Sequence, residues 1–455
     1  MNFRNENDAL GPVDVPAESY AGSFYTRATS HFQNSSLRAY PSFSTALVWI
    51  KQSAAEVNTQ LGFLDAKLAA AIEQAGAEFI EGRFMEDYDL DVYQAGAGTP
   101  FNMSLNEILA NRANEILGGK KGEYTPIHPN NHVNMGQSSN DTVPTALRIA
   151  ALVDLHGLFR TGTDLLGTLE EKAELFKGVT KVGRTHLQDA VPVTLGQEFK
   201  AYASSLQHAL ARLDAAQHEL MELGIGGTAT GSGINTHPDF PAKMCQALSK
   251  RSGLELSPAR NRFETTHSLA PFLAVSSACR ALATELLRIS NDLRLMASGP
   301  SAGLNELVLP EVEPGSSIMP GKVNPSVPEA LSMICIQVCG LDHAIALCAQ
   351  QGQLELNWHT PLVMWDLLHQ IEILTKGMRM LNHSCITGLQ ANTTQLQKVL
   401  EDGPVLATVL VPHMGYHAVA ELVTRSKKEG IPFSQLVPKE FQDLLNPRNM
   451  TEPNL

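Results

Sequence analysis

Residues 275–296 read VSSACRALATELLRISNDLRLM, and the placing of their apolar side chains decides the fold. Val275, Cys279, Leu282, Leu286, Ile289, Leu293 and Met296 follow one another at steps of four, three, four, three, four and three. That spacing puts all of them on one face of a long α-helix and buries them as a seam. Outward from this stretch, segments poor in glycine and proline occupy 145–177, 195–223, 327–351 and 362–389, making five candidate long helices in all. At about 1.5 Å per residue, a helix of about thirty residues extends roughly 45 Å. The expected fold class is all-α, with a central five-helix bundle across 139–392. Helices of this length carry more apolar stripe than one five-helix bundle hides, so association with other chains is expected.

The flanks read differently. Residues 1–138 mix short apolar runs with turn clusters such as QAGAGTP at 94–100 and HPNN at 128–131, a pattern of shorter helices and loops. Residues 393–455 are punctuated by Gly403, Pro404, Pro412, Gly415, Pro432 and Pro447, which predicts a small terminal cap of short helices. Three domains are therefore expected, with boundaries at 1–138, 139–392 and 393–455.

Composition bounds the function. The chain has 455 residues, 43% of them hydrophobic, and 34 Lys+Arg against 47 Asp+Glu give a net charge of −13. It has apolar surface enough for a large core, and its charge opposes a phosphate backbone, so nucleic acid is not an expected partner. No basic, then apolar, leader opens the sequence, and no apolar stretch is expected to cross a membrane. Six cysteines without a CxxC pair point to reduced thiols and a cytoplasmic location.

Three polar segments could carry chemistry. PEVEPGSSIMPGKVNPSVP, 310–328, has prolines at 310, 314, 320, 325 and 328 and so cannot be one helix. Its Ser316, Ser317, Lys322 and Asn324 put hydroxyls, a cation and an amide on a loop able to close over an anion, although a merely solvated loop reads equally well. Residues 134–141, NMGQSSND, precede a long helix, where hydroxyls and amides suit both capping and carboxylate binding. GRTHLQD, 183–189, links two helical patterns and carries His186, the histidine best placed for function, though a lone loop histidine is more often structural. The glycine-rich run 224–233 lacks a preceding strand and reads as a conformationally demanding connection, not a dinucleotide loop. Cys335, Cys339 and His343 fall on one helix face but without a zinc-site pattern, so a buried stripe is expected and no metal.

Taken together, GSSIMPGKVNP (315–325), GRTHLQDAVPVTLGQEF (183–199) and HVNMGQSSNDTVPTA (132–146) resemble the fumarase/aspartase superfamily, over nearly the whole chain. The resemblance implies a mainly helical, three-part subunit that assembles as a homotetramer. It also implies active sites built from segments of three chains, and an elimination that forms a fumarate double bond without a redox cofactor. Carried over residue by residue, Ser316 resembles the general base that takes the Cβ proton. Thr185, Ser317, Lys322 and Asn324 resemble the groups that hold the resulting aci-carboxylate. Thr99, Ser138, Ser139 and Asn140 resemble the binding groups for the second carboxylate and the leaving group, with His186 beside them oriented by Glu329. His128, Asn130 and Asn131 form a candidate second site.

The leaving group is divided between subfamilies. AGAGT at 95–99, VNM at 133–135, LRLMASGP at 293–300, GQLELN at 352–357 and NPRNMT at 446–451 resemble aspartate ammonia-lyase. HPN at 128–130, Ser138–Ser139, NTHP at 235–238, His186 and Gly321 lean toward class II fumarate hydratase. Pro100, Phe101, Ser104, Asn131 and Ser301 depart from both patterns and leave room for an altered substrate. The expectation is an aspartate ammonia-lyase, with fumarate hydratase as the alternative and an inactive, crystallin-like structural protein as the alternative of another class. Its expected partners are a small dicarboxylate and further copies of itself.

Overall fold

The computed structural model describes residues 2–315, 317–402 and 404–452. It opens with an antiparallel hairpin, β1 (Phe3–Asp8) and β2 (Gly11–Pro16), followed by α1 (Ser23–His31), α2 (Pro41–Gln60), α3 (Ala66–Ile80) and α4 (Thr99–Ile116). The long α5 (Ser139–Leu175) leads into a second antiparallel hairpin, β3 (Thr180–Thr185) and β4 (Gln188–Thr194), and then α6 (Leu195–Gln217). The shorter α7 (Phe240–Ser252) and α8 (Arg262–His267) precede the long α9 (Ala270–Met296), α10 (Ser326–Gln350) and α11 (Thr360–Leu381). Short helices starting with α12 (Thr393–Asp402) complete the chain.

The helical expectation holds, and the seam on α9 is buried at each of its positions from Val275 to Met296. The two hairpins were not legible as strands. GRTHLQD reads as a polar linker, and strand pairing there rests on a bulged register between Val182 and Arg184 that no alternating pattern announces. A second difference concerns membranes. Helices α5, α9 and α10 are long and apolar enough to cross one by length and composition, against the expectation that no stretch is. Amphipathic helices with apolar residues on more than one face average to this hydropathy.

The chain divides into two compact units, one of residues 1–158, 212–280 and 337–373, the other of 159–211, 281–336 and 374–455. In the first, α2 packs on α3 and α7, and α4 on α3, around Phe43, Leu47, Ile50, Ile72, Phe101 and Leu105. Phe43 and Phe101 meet edge to face at 5.6 Å. In the second, hairpin β3–β4 lies against α12 and the short helices beyond it, over a core of Val182, Leu400, Leu406, Leu410 and Phe433.

An ion pair fastens α3 to α4 in the first unit. Glu78 accepts from Arg112 at 2.6 and 3.0 Å, and Arg83 reaches it at 2.7 Å. The Arg112 guanidinium, above all, holds the Glu78 carboxyl down at about 2. Its folded value lies below its unfolded one, so the stabilisation is complete above about pH 4.5 and lost as pH falls toward 2. The arginines are partly solvated, which limits the effect to roughly 1–2 kcal/mol. Glu78→Gln is expected to lower the thermal midpoint at pH 7 and to lose less than the native protein between pH 5 and pH 3. Equal acid sensitivity of the two would remove Glu78 from the account.

Candidate active site

Thr99 stands at the start of α4, behind a tight turn at Gly96–Gly98. Ala97 and Gly98 both have left-handed backbone, φ 60° and 66°, and Ala97 N–H donates to the Trp358 carbonyl at 2.8 Å. A Cβ on Gly96 would come within 2.8 Å of the Trp358 Cβ, so only glycine lets the turn lie on that indole. Pro100 in the first turn of α4 costs no hydrogen bond, because that N–H has no helical partner.

The start of α5 meets this turn. Ser138 Oγ accepts from Asn140 N–H at 3.2 Å, the capping bond anticipated for the polar run, and Ser139 Oγ accepts from Asn102 Nδ2 of α4 at 3.2 Å. Asn140 donates its side-chain amide to the Ala229 carbonyl at 2.8 Å. Thr99, Ser138 and Asn140 are half-buried and Ser139 is buried. The first unit therefore bonds Asn102, one helical turn beyond Thr99, to Ser139 beside Ser138 and Asn140, where a helix N-terminus with hydroxyls and amides suits an anion.

Two buried charges stand behind this cluster, Asp141 at the end of the polar run 134–141 and Lys51, which the polar runs do not include. The Lys51 ammonium touches Asn102 Oδ1, Asn134 Oδ1 and Gln137 Oε1 at 2.6, 3.0 and 2.9 Å. Asp141 accepts from the backbone N–H groups of Ser138, Gly226 and Thr228 at 2.8, 3.0 and 2.9 Å. Burial pushes Lys51 down to about 7 and Asp141 up to about 7, and each acts against the other's shift. Asp141 thus pins the glycine-rich connection, where Gly226, Gly231 and Gly233 take the positive φ expected of it. The available signal for Lys51 was its position within the apolar run VWIKQSAAEV, on a face otherwise filled by core residues.

In the second unit Thr185 and His186 occupy the exposed tip of hairpin β3–β4. His186 and Leu187 both have positive φ, 56° and 59°, a conformation that costs a non-glycine residue roughly 1–2 kcal/mol. A two-residue type I′ hairpin turn requires positive φ at both positions, and here it sets a histidine at the tip. The base of the hairpin carries a buried ion network. Lys181 binds both oxygens of Glu198 at 3.0 and 2.9 Å and contacts Glu306 at 2.7 Å, and Arg184 donates to Glu306 at 2.7 Å.

Of the proline-rich loop, Ser317 and Lys322 are exposed, and Asn324 donates its amide to the Gly315 carbonyl at 2.6 Å, closing the loop on itself. Ser316 lies outside the described residues. Glu329 sits exposed in the first turn of α10, and among the described residues it forms neither a hydrogen bond nor an ion pair with His186. The first unit carries the α4–α5 cluster, and the second carries the hairpin tip and the loop.

The candidate second site is an irregular turn. His128 Nδ1 accepts from the backbone N–H groups of Asn130 and Asn131 at 3.1 and 3.4 Å, and the N–H of His128 donates to His132 Nδ1 at 2.8 Å. Burial first, and His132 second, hold the His128 imidazole below its usual value. Cys335 is buried, Cys339 is half-buried and His343 is exposed, so the expected buried stripe is only partial. No group of three metal-ligating side chains occurs among the described residues.

The family model described as lyase matches residues 11–340. The chain belongs to the fumarase/aspartase superfamily. Among its relatives, a class II fumarate hydratase of Nitrosomonas europaea is 41% identical over 99% of both chains. An aspartate ammonia-lyase of Pseudomonas canavaninivorans is 42% identical over 100% of this chain and 98% of its own. The class II fumarase structure from Schistosoma mansoni superposes with a TM-score of 0.96 at 36% identity, covering both chains completely. A fumarate lyase:delta crystallin from Brucella melitensis gives 0.96 at 39% identity, over 99% of this chain and 100% of its own. The protein is accordingly a lyase family member, with relatives of both reactions at nearly equal identity.

Proposed function

We propose that the protein eliminates ammonia from L-aspartate to give fumarate. The observation that carries this reading is the turn before Thr99, where Ala95 and Ala97 present methyl groups at positions that resemble hydroxyl-bearing serines in the hydratases. Ser316 takes the Cβ proton, and the pair left behind is delocalised into the neighbouring carboxylate as an aci-carboxylate. Thr185, Ser317, Lys322 and Asn324 hold that doubly charged group, which is where most of the rate enhancement arises. The C–N pair then departs with ammonia as the double bond forms, while Thr99, Ser138, Ser139 and Asn140 grip the other carboxylate and His186, with Glu329, stands beside them. No cofactor or metal is part of this scheme.

The three groups of site residues suit a site assembled from three copies in a homotetramer. Met333, Ile336, Gly340, His343 and Leu347 follow one another on α10 at steps of three, four, three and four, and Met333, Ile336 and Leu347 are exposed. A second seam on one helix supports association through that face. The cysteines, free and mostly buried, suit the reducing cytoplasm.

A specific feature favours the second reading, a class II fumarate hydratase: the strained backbone that projects His186 suits a proton relay. Fumarate absorbance followed in parallel on L-aspartate and L-malate separates the two. Product from aspartate alone is expected; product from malate alone would replace the proposal by the hydratase, and silence with both would favour a modified amino-acid substrate or an inactive structural protein.

A further inference from the structure

We propose that Lys51 is a positioning residue that sets the hydrogen-bond polarity of the Ser139 hydroxyl, turning its proton toward a substrate carboxylate. The inference rests on the reading that Ser138–Asn140 hold such a group. An ammonium has three hydrogens and no acceptor, and Lys51 directs them at three amide oxygens in a fully buried setting. Each amide is thereby fixed with its oxygen toward the cation and its nitrogen away. Gln137 spends its nitrogen on the carbonyls of Val133 and Met135 at 3.1 and 3.2 Å. Asn102 spends its own on Asn134 Oδ1 and Ser139 Oγ, both at 3.2 Å.

The consequence falls on Ser139. Its oxygen accepts from Asn102, and among the described residues no group takes the hydroxyl proton, which is left to donate. A reversed Asn102 amide would place an oxygen against Ser139 and consume that proton. The chain Lys51, Asn102, Ser139 therefore runs in one direction because its first member can only donate. Lys51 has a second effect. Asp141, buried behind Ser138, would leave an uncompensated negative charge beneath residues that bind an anion, and Lys51 offsets it.

The test compares the full-length protein with Lys51→Met and Asn102→Asp, using turnover of aspartate and malate and the inhibition constant of succinate, a dicarboxylate without a leaving group. Asn102→Asp keeps the lysine contact but presents an acceptor to Ser139 and adds a charge, so it is also made in a Ser139→Ala background, where an effect carried by the hydroxyl disappears and one carried by charge persists. Both variants are expected to weaken succinate roughly 10- to 100-fold, the size of a lost charge-assisted hydrogen bond, with the kinetic loss falling mainly on KM. A purely structural lysine would lower the thermal midpoint in Lys51→Met, and Asn102→Asp would then weaken succinate as much in the Ser139→Ala background as in the native one. Active native protein with unchanged succinate constants in the folded variants overturns the proposal and leaves the lyase reading standing. Native protein that neither turns over these substrates nor binds succinate removes both.

Discussion

Ser316→Ala is expected to lower turnover by roughly 10²- to 10⁴-fold while leaving the thermal midpoint and the oligomeric state of the protein unchanged. A serine hydroxyl is a weak base at its ordinary pKa, so its use for proton abstraction requires an environment that favours the alkoxide. The flanking sequence supplies the means: Gly315 and Ser317 offer backbone donors, and Lys322 brings a cation whose side chain is exposed and free of ion pairs among the described residues. Asn324, bonded to the Gly315 carbonyl, ties residues 315 and 324 of the loop together. Lys322→Met should reproduce much of the loss and raise KM as well, because the lysine serves the aci-carboxylate as well as the base. Deuterium exchange at the substrate Cβ separates the steps. Its disappearance in Ser316→Ala identifies the base, whereas exchange at the native rate would assign proton abstraction to another group.

The sequence made the helices legible because their seams repeat over several turns and are independent of what they pack against. The α9 pattern from Val275 to Met296 needed no partner to be read, and the structure buries it throughout. The hairpin that carries His186 was illegible for the opposite reason. Its strands are short and bulged, and its turn uses His186 and Leu187 where asparagine and glycine would announce a left-handed pair. The site shows the same division. Thr99, Ser138, Ser139, Asn140 and Asp141 stand in recognisable runs, but Lys51 is a lone cation within the apolar run 48–57 and Asn102 is one of several asparagines on α4. Such residues acquire meaning only when tertiary packing brings α2, α4 and α5 together, which no local pattern encodes. Glu306 escaped in the same way, lying about 120 residues beyond the hairpin it secures.

Glu306→Gln is expected to lower stability by about 3 kcal/mol and kcat/KM by a hundredfold or more, through loss of an anchor and not of a group that meets substrate. Glu306 is almost fully buried, accepts from Arg184 at 2.7 Å, and lies 2.7 Å from Lys181 as an ion-pair contact. Its own backbone is tied to Met296 by its N–H and to Asn392 by its carbonyl. The carboxylate therefore joins the base of hairpin β3–β4 to two other segments of the second unit. Neutralising it leaves Arg184 without its buried partner, one residue from Thr185, and leaves Lys181 with Glu198 alone. The tip beyond is already strained, since His186 and Leu187 each hold a left-handed backbone. A weakened base should let that strain relax by opening the turn and withdrawing the imidazole. Glu198→Gln, at a more solvated position that leaves the Glu306 contacts in place, should cost less. Leu187→Gly removes part of the strain, so adding it to Glu306→Gln should recover activity, while recovering little of the thermal midpoint. A Glu306→Gln protein with native stability and activity would show that the ion network is incidental to the hairpin. Loss of activity that Leu187→Gly cannot relieve would place its effect elsewhere than the turn.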